Sequence, residues 1–324
     1  MARYGGIDLG GTKIQAVVVD EQHEVLGSSR HPTPTTGGPA DVALAMVAAV
    51  REASDEAGVG PGGLTAVGVG SPGVVDDAEG TVTSARNLPD WEGSYPLGEK
   101  LEAALAAPIA LSNDVNVATQ AEFVLGAAKP FKSLLGVFWG TGVGGGIVLD
   151  GELYEGRGGA GEIGHVVVKS DGRQCPCGRI GCMEAYAGRG AMEVHAREKA
   201  DKGEKTVLFE IMEEKGKPRL SSGIWERALE RDDKLAHHLI KQAVEALGVG
   251  IASSLNLLDV EAVVIGGGLG LRLGEPYVEK IREAVMPHLF ADHRPPEILL
   301  ASLGDLGGAI GATLLAADKT PAAA

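Results

Sequence analysis

Residues 175–182 read CPCGRIGC and hold all three cysteines of a 324-residue chain. Ten residues before Cys175 stands His165, in the run Gly161-Glu162-Ile163-Gly164-His165. One imidazole and three thiolates make four nitrogen and sulfur ligands, the set that a closed structural zinc site takes. Pro176, Gly178 and Gly181 suit a knuckle-like loop, and a metal there would stand in for the core that so apolar-poor a segment lacks. The competing reading is three small core hydrophobes, and Cys-x-Cys-x4-Cys is an unusual zinc spacing. An odd, clustered number of cysteines does not make a disulfide framework. With zinc bound, Glu184 would be held rigidly beside Glu162. Two such carboxylates can accept hydrogen bonds from neighbouring hydroxyls of a sugar; taken singly, each is a solvated acid.

Three glycine runs point to an anionic ligand. Asp8-Leu9-Gly10-Gly11-Thr12-Lys13 comes near a P-loop but lacks the Gly-Lys-Ser/Thr order, and a strand follows it. It predicts a hairpin tip whose N–H groups, Thr12 hydroxyl and Lys13 could surround a phosphate; the bland reading is a simple turn. Gly140-Thr141-Gly142-Val143-Gly144-Gly145 satisfies the dinucleotide pattern G-x-G-x-x-G, but that pattern needs a helix next. A strand follows here too, so the run reads as a second phosphate hairpin. The third run, Gly266-Gly267-Gly268, follows a strand. It is either a tight strand-to-helix turn or a place where a flat ligand such as adenine approaches the backbone. Asn113-Asp114 lies just past a strand, where α/β proteins place reactive groups. Either residue could cap a helix, and an Asp there could also take a proton from a substrate hydroxyl.

Strands and helices alternate, which predicts an α/β protein. Strands are expected at 4–9, 14–20, 64–69, 108–111, 134–139, 147–149, 261–265 and 298–301. Helices are expected at 41–57, 99–105, 115–125, 233–259, 276–286 and 305–317, with 150–190 irregular. The segment 198–222 suggests no role. GIDLGGTKIQAVVVD at 6–20 aligns without gaps to GVFWGTGVGGGIVLD at 136–150. Identities are few, so chance is one reading. The other is two similar domains that each offer a hairpin.

Composition limits the function classes. Net charge is -15, with 44 acidic against 29 basic residues, which argues against a nucleic-acid or membrane-surface binder. Glycines near the start interrupt any signal-peptide core, and no run of 18 apolar residues exists, so a cytoplasmic protein is expected.

These motifs resemble the bacterial ROK family (repressors, open reading frames, kinases), and among its members most of all the glucokinases. The resemblance runs along nearly the whole chain. It rests on DLGGTK at 8–13, NDVNVATQAE at 113–122, GTGVGGGIVLDG at 140–151, GEIGH at 161–165 and CPCGRIGCMEAYAG at 175–188, with SPGVVD at 71–76 and NLPDW at 87–91 resembling sugar-side segments. It implies the two-domain actin-like, hexokinase-type ATPase fold, with a cleft between a small domain (1–115 plus 306–324) and a large one (116–305). It implies glucose phosphorylation at the 6-hydroxyl, in carbohydrate metabolism, with Asp114 as general base. Gly73, Asn87, Asn113, Glu162, His165 and Glu184 would bind the sugar. His165, Cys175, Cys177 and Cys182 would hold zinc, with the second ring nitrogen of His165 toward a sugar hydroxyl. Asp8 would stand near Mg2+. Gly10, Gly11, Thr12, Lys13, Gly140, Thr141, Gly142 and Gly144 would hold the phosphates of ATP, and Gly266–Gly268 would lie near the nucleoside. A homodimer or homotetramer is the family habit. Another hexose (fructose, mannose or an N-acetylhexosamine) is the alternative substrate, and a non-catalytic sugar-binding regulator the alternative role. A repressor would need an N-terminal DNA-binding segment, for which a first strand at residue 4 leaves no room.

Overall fold

The computed structural model describes residues 1–60, 62–85 and 88–319. The first stretch runs β1 (Tyr4–Leu9), β2 (Lys13–Val19), β3 (Val25–Pro32), α1 (Gly38–Glu56) and β4 (Ala66–Ser71). There follow the short strands β5 (Val74–Asp76), β6 (Thr81–Thr83) and β7 (Ser94–Tyr95), then α2 (Leu97–Leu105), β8 (Ile109–Asn113) and α3 (Asp114–Val124). The middle of the chain gives β9 (Leu134–Trp139), β10 (Val143–Leu149), β11 (Glu152–Leu153), α4 (Glu184–Ala187), α5 (Arg189–Asp201), α6 (Leu208–Glu214) and α7 (Ser222–Glu230). The last part adds α8 (Lys234–Leu258), β12 (Ala262–Gly266), α9 (Gly267–Leu273), α10 (Glu275–Val285), β13 (Glu297–Leu300) and α11 (Gly307–Asp318).

The chain divides into two compact units. One is Met1–Lys129 together with the chain from Ser302 on; the other is Pro130–Ala301. These bounds differ from the expected 115/116 and 305/306. Helix α3 begins at Asp114 and rests on α11, where a Cβ on Gly311 would stand 2.4 Å from the Val117 carbonyl oxygen. A boundary at 115 would cut α3 after its second residue, so the first unit takes the whole helix.

Each unit holds one five-stranded sheet. Their orders are β3-β2-β1-β4-β8 and β11-β10-β9-β12-β13. In both, the first three strands pair antiparallel and the remaining pairings are parallel. The gapless echo of 6–20 in 136–150 falls on β1-β2 and β9-β10, which occupy matching places in the two sheets. Duplicated topology explains it better than chance.

The first unit is closed by α11. Gly6 on β1 and Gly68 on β4 present bare backbone to it: a Cβ would lie 2.0 Å from the Ala309 carbonyl oxygen at Gly6 and 1.7 Å from that of Ala312 at Gly68. Helix α1 covers the sheet with Val42, Met46, Val50 and Ala53, all fully buried at helical spacing. In the second unit α8 carries the largest apolar face. Leu235, Leu239, Ala243, Leu247, Ile251 and Leu255 recur every fourth residue and are buried. Asp233 caps its start by accepting from the Ala236 N–H at 2.7 Å, and Asp259 ends it in the left-handed conformation.

Several elements escape the sequence pattern. Strand β3 is an edge strand whose middle is Gly, Ser, Ser, Arg and His, held to β2 by its main chain. The small sheet β5-β6-β7 has strands of two or three residues. Segment 198–222, for which no role was expected, supplies the end of α5, all of α6 and the start of α7, and its Leu208, Ile211 and Leu220 are core residues.

Candidate active site

In the first unit, β8 runs parallel to β4 and ends at Asn113. The cap of α3 is Asn113, whose Oδ1 accepts from the N–H groups of Val115 (3.0 Å) and Asn116 (3.4 Å). Asp114 therefore occupies the first helical position, with its Oδ1 3.0 Å from the Val115 nitrogen. The helix macrodipole favours a negative charge at that place. Gly73 turns the chain from β4 into β5 at φ 94°, where a Cβ would press on the Thr83 carbonyl oxygen at 2.7 Å.

The first glycine hairpin joins β1 to β2. The Gly10 N–H bonds the Lys13 carbonyl at 2.9 Å, and Thr33 braces the tip through its Oγ on the Gly10 carbonyl at 2.6 Å. Asp8 lies just before this tip, against Gly308 at the start of α11. No group among the described residues donates a hydrogen bond to its carboxylate. Burial raises its pKa above the ordinary value, Lys13 lowers it and Asp305 raises it. Lys13 is turned to Gln15 and to Asp305, at 3.4 Å from the latter.

In the second unit, the hairpin between β9 and β10 is gripped from outside. The N–H groups of Arg189 and Gly190 bond the carbonyls of Gly140 (3.1 Å) and Thr141 (2.9 Å). The Glu184 Oε2 accepts from the Val143 N–H at 2.9 Å, and a Cβ on Gly142 would strike that oxygen. The strand β10 that follows the hairpin excludes the dinucleotide reading of G-x-G-x-x-G. Gly144 is in β10 and Gly145 faces Gly161 and Ile163. Gly266 ends β12, and Gly267 opens α9 at φ 79°, with the Trp139 carbonyl 2.6 Å from any added Cβ. The third run forms a tight strand-to-helix turn.

The run Gly161–His165 lies against β10. A Cβ on Gly161 would reach the Gly145 carbonyl at 2.5 Å, and one on Gly164 the Val143 carbonyl at 2.0 Å. Both glycines are needed to bring Glu162 and His165 to this strand, while Ile163 is buried in the core. Beyond it the cysteine loop folds as a small hairpin, with bridges Val167–Cys182 and Gln174–Ile180. The Cys175 N–H bonds the Arg179 carbonyl and the Gly178 N–H returns to the Cys175 carbonyl.

His165, Cys175, Cys177 and Cys182 place one donor atom each within 4.8 Å of all the others. Cys177 and Cys182 sulfurs are 3.8 Å apart, and Cys175 Sγ is 3.9 Å from His165 Nδ1. A tetrahedron with bonds of about 2.3 Å has edges of about 3.8 Å, so the donors fit zinc. All three thiols are free of disulfides. Desolvation pushes Cys175 up to about 12. At Cys177 slight desolvation is outweighed by hydrogen bonds, first from the backbone of Arg179, and the thiol sits at about 7. The His165 ring faces two ways: Nδ1 toward Cys175, Nε2 toward Glu162 Oε2 at 3.8 Å.

The chain matches the ROK family model over residues 4–319. It belongs to the ROK family. It is 33% identical to the glucokinase of Streptomyces coelicolor, over 98% of each chain. It is 31% identical to the N-acetyl-D-glucosamine kinase of Salmonella typhimurium, over 96% of this chain and 98% of that one. The crystal structure of a ROK family glucokinase from Streptomyces griseus, in complex with glucose and AMPPNP, superposes with a TM-score of 0.84 at 33% identity, covering 98% of this chain and all of that one. The fold is accordingly the two-domain actin-like, hexokinase-type ATPase fold of ROK proteins.

Within this ROK chain the first unit holds Asp8, Gly10, Gly11, Thr12, Lys13, Gly73, Asn113 and Asp114. The second holds Gly140, Thr141, Gly142, Gly144, Glu162, His165, the three cysteines, Glu184 and Gly266–Gly268. Asn87 lies outside the described residues. Sequence reasoning missed Arg189, whose guanidinium bonds the Thr141 hydroxyl and the Ser222 hydroxyl at 2.8 Å each. No spacing rule links an arginine to a serine two helices away in sequence. No helix among the described residues is long and apolar enough to cross a membrane.

Proposed function

We propose that this chain transfers the γ-phosphoryl group of ATP to the 6-hydroxyl of glucose, with Asp114 as general base. That it is a hexokinase-type sugar kinase follows from its family and its relatives. The observation that carries the finer reading is the two-way His165, which couples the cysteine loop to the acidic face of Glu162.

Roles follow from what each group has left to offer. Asp114 accepts the proton of the attacking hydroxyl and aligns it for in-line transfer. Asn113 spends its carbonyl oxygen on the helix cap, so it meets a sugar through its amide N–H groups. Glu184 gives Oε2 to Val143, and its Oε1, which the Cys175 thiol approaches at 4.0 Å, would turn to a hydroxyl once that sulfur holds zinc. Glu162 and the Nε2 of His165 complete the sugar contacts, with Asn87 and the Gly73 turn assisting. The turns Gly10–Lys13 and Gly140–Gly144 cradle phosphate through backbone N–H groups, and Gly266–Gly268 lies near the nucleoside.

Two ions fit this reading. Zn2+ on His165, Cys175, Cys177 and Cys182 supplies shape, holding the loop that carries Glu184. Mg2+ near Asp8 supplies positive charge to the terminal phosphates; a half-buried carboxylate without a donor suits it. A cytoplasmic location suits both substrates.

ATP consumption measured against a panel of hexoses with Mg2+ tests the proposal. Glucose should dominate. A preference for N-acetylglucosamine, the substrate in the name of the Salmonella relative, would retain the base and replace the sugar. No sugar-stimulated turnover in zinc-replete protein would refute the kinase reading.

A further inference from the structure

Around the second glycine hairpin the charge balance reverses. Arg189 opens α5, Arg197 lies two turns further along it, and Arg219 stands where the chain enters α7. Glu193 is the only carboxylate within ion-pair distance of any of them among the described residues. It pairs with Arg197 at 2.8 Å and Arg219 at 3.5 Å, and also accepts the Leu220 N–H at 3.0 Å. Glu193 is itself buried, so it fixes Arg219 and the entry to α7. Arg197 stacks on Phe209. Among the described residues no carboxylate comes within ion-pair distance of Arg189, and Glu193 attracts it only from further off. Its guanidinium spans from Thr141 on the hairpin to Ser222 at the start of α7. The hairpin and the α9 turn are close by: a Cβ on Gly140 would lie 3.8 Å from the Gly268 nitrogen, and one on Gly268 3.7 Å from the Ser222 hydroxyl.

A half-buried guanidinium loses hydration, and natural sites restore it with an anion. This chain is acidic overall, at -15, yet at this hairpin it places an arginine whose hydrogen-bond partners among the described residues are hydroxyls and not carboxylates. Two of the five guanidinium donors are used by hydroxyls and three remain, in the planar fork that matches phosphate oxygens.

We propose that Arg189 anchors the non-transferred phosphates of the nucleotide, with Arg219 adding charge, and so sets nucleotide affinity and not sugar affinity. The assignment rests on the nucleotide-binding half of the proposed function. Ser222 and Thr141 are its positioning partners: they hold the fork at the hairpin before ligand arrives.

Calorimetric titration of AMPPNP, ADP and adenosine into wild type, Arg189→Met and Arg189→Lys tests it, with steady-state kinetics beside it. Arg189→Met should weaken AMPPNP and ADP at least tenfold and raise the KM for ATP in step. Adenosine affinity and the KM for sugar should stay within about twofold of wild type. Arg189→Lys should recover only part, because an ammonium cannot fork. Unchanged AMPPNP affinity in folded Arg189→Met overturns the assignment. So does equal weakening of ADP and adenosine, which marks a merely structural role. If both variants fail to fold, Ser222→Ala decides: a several-fold loss of AMPPNP with adenosine unchanged supports the anchor, and no loss overturns it. Wild type that binds AMPPNP but phosphorylates no hexose defeats the kinase reading while the titrations still judge Arg189. Wild type that binds no nucleotide defeats both.

Discussion

Two aspartates of the first unit carry charges of different standing. Asp114 sits at a helix start, where negative charge is favoured, and replacing it by Asn keeps size and cap geometry. Asp114→Asn should keep sugar binding and lose turnover by about 10²–10⁴-fold, the usual share of a general base; isothermal titration and steady-state rates separate the two. Turnover within a few-fold of wild type would remove the base from Asp114. Asp8 has its carboxyl pKa raised by burial. An unfolded Asp ionises near 3.8, while the folded one holds its proton to higher pH. Stability from this group is therefore present below 3.8 and is lost as pH rises through the folded value. At pH 7 the ligand-free protein bears that penalty. Asp8→Asn should raise its melting temperature by a few degrees and, with Mg2+·ATP, lower turnover sharply. A melting temperature that falls would show Asp8 to be structural.

At the scale of elements, the cysteine loop and the run Gly161–His165 form one device on β10. Cys182→Ser, or exhaustive chelation, should remove one zinc per chain by metal analysis and raise the KM for sugar about tenfold or more, as loosened supporting ligands do at metal sites. Full activity with no metal would return the cysteines to core packing. The cluster of His165 with the three cysteines was legible in sequence because all four fall within eighteen residues, and the glycine hairpins because tight turns between strands leave glycine behind. The capping question was not: Asn and Asp cap helices equally well, and only the bonds from Val115 and Asn116 assign the cap to Asn113. Strand β3 was hidden because its polar residues pair through backbone alone, and Arg189 because its partners come from distant elements. The long periodic elements, α1 and α8 above all, were read nearly to their ends, since apolar spacing dictates them.

At the scale of the whole molecule, the two units have separate hydrophobic cores, one built around α1 and β1, the other around α8 and β9. A chain so divided need not unfold in one step. Gly68→Ala would drive a methyl into the Ala312 carbonyl and should destabilise by about 3 kcal/mol or more. For a unit of this size that lowers the first unit's melting by about 10 °C. Chelation of zinc should lower the other unit instead. Differential scanning calorimetry of the two samples should show different transitions moving; a single transition that moves alike in both would contradict the separation of cores. The expected bound at 115 and the compact unit's bound at 129 lie fourteen residues apart because sequence shows where α3 begins but not what it leans on.

Helix α11, which closes the first unit, is made after the whole of the second. During synthesis residues 1–129 leave the ribosome first, yet their glycine seat for α11 stays vacant until the entire second unit has been translated. The second unit has all its residues before the first is complete. Its folding on the ribosome can finish while the first unit still waits with the faces of β1 and β4 uncovered. Truncation between Ser302 and Gly307 thus leaves a second unit of full length and a first unit that cannot close, so termination there should yield an insoluble chain with an intact cysteine loop.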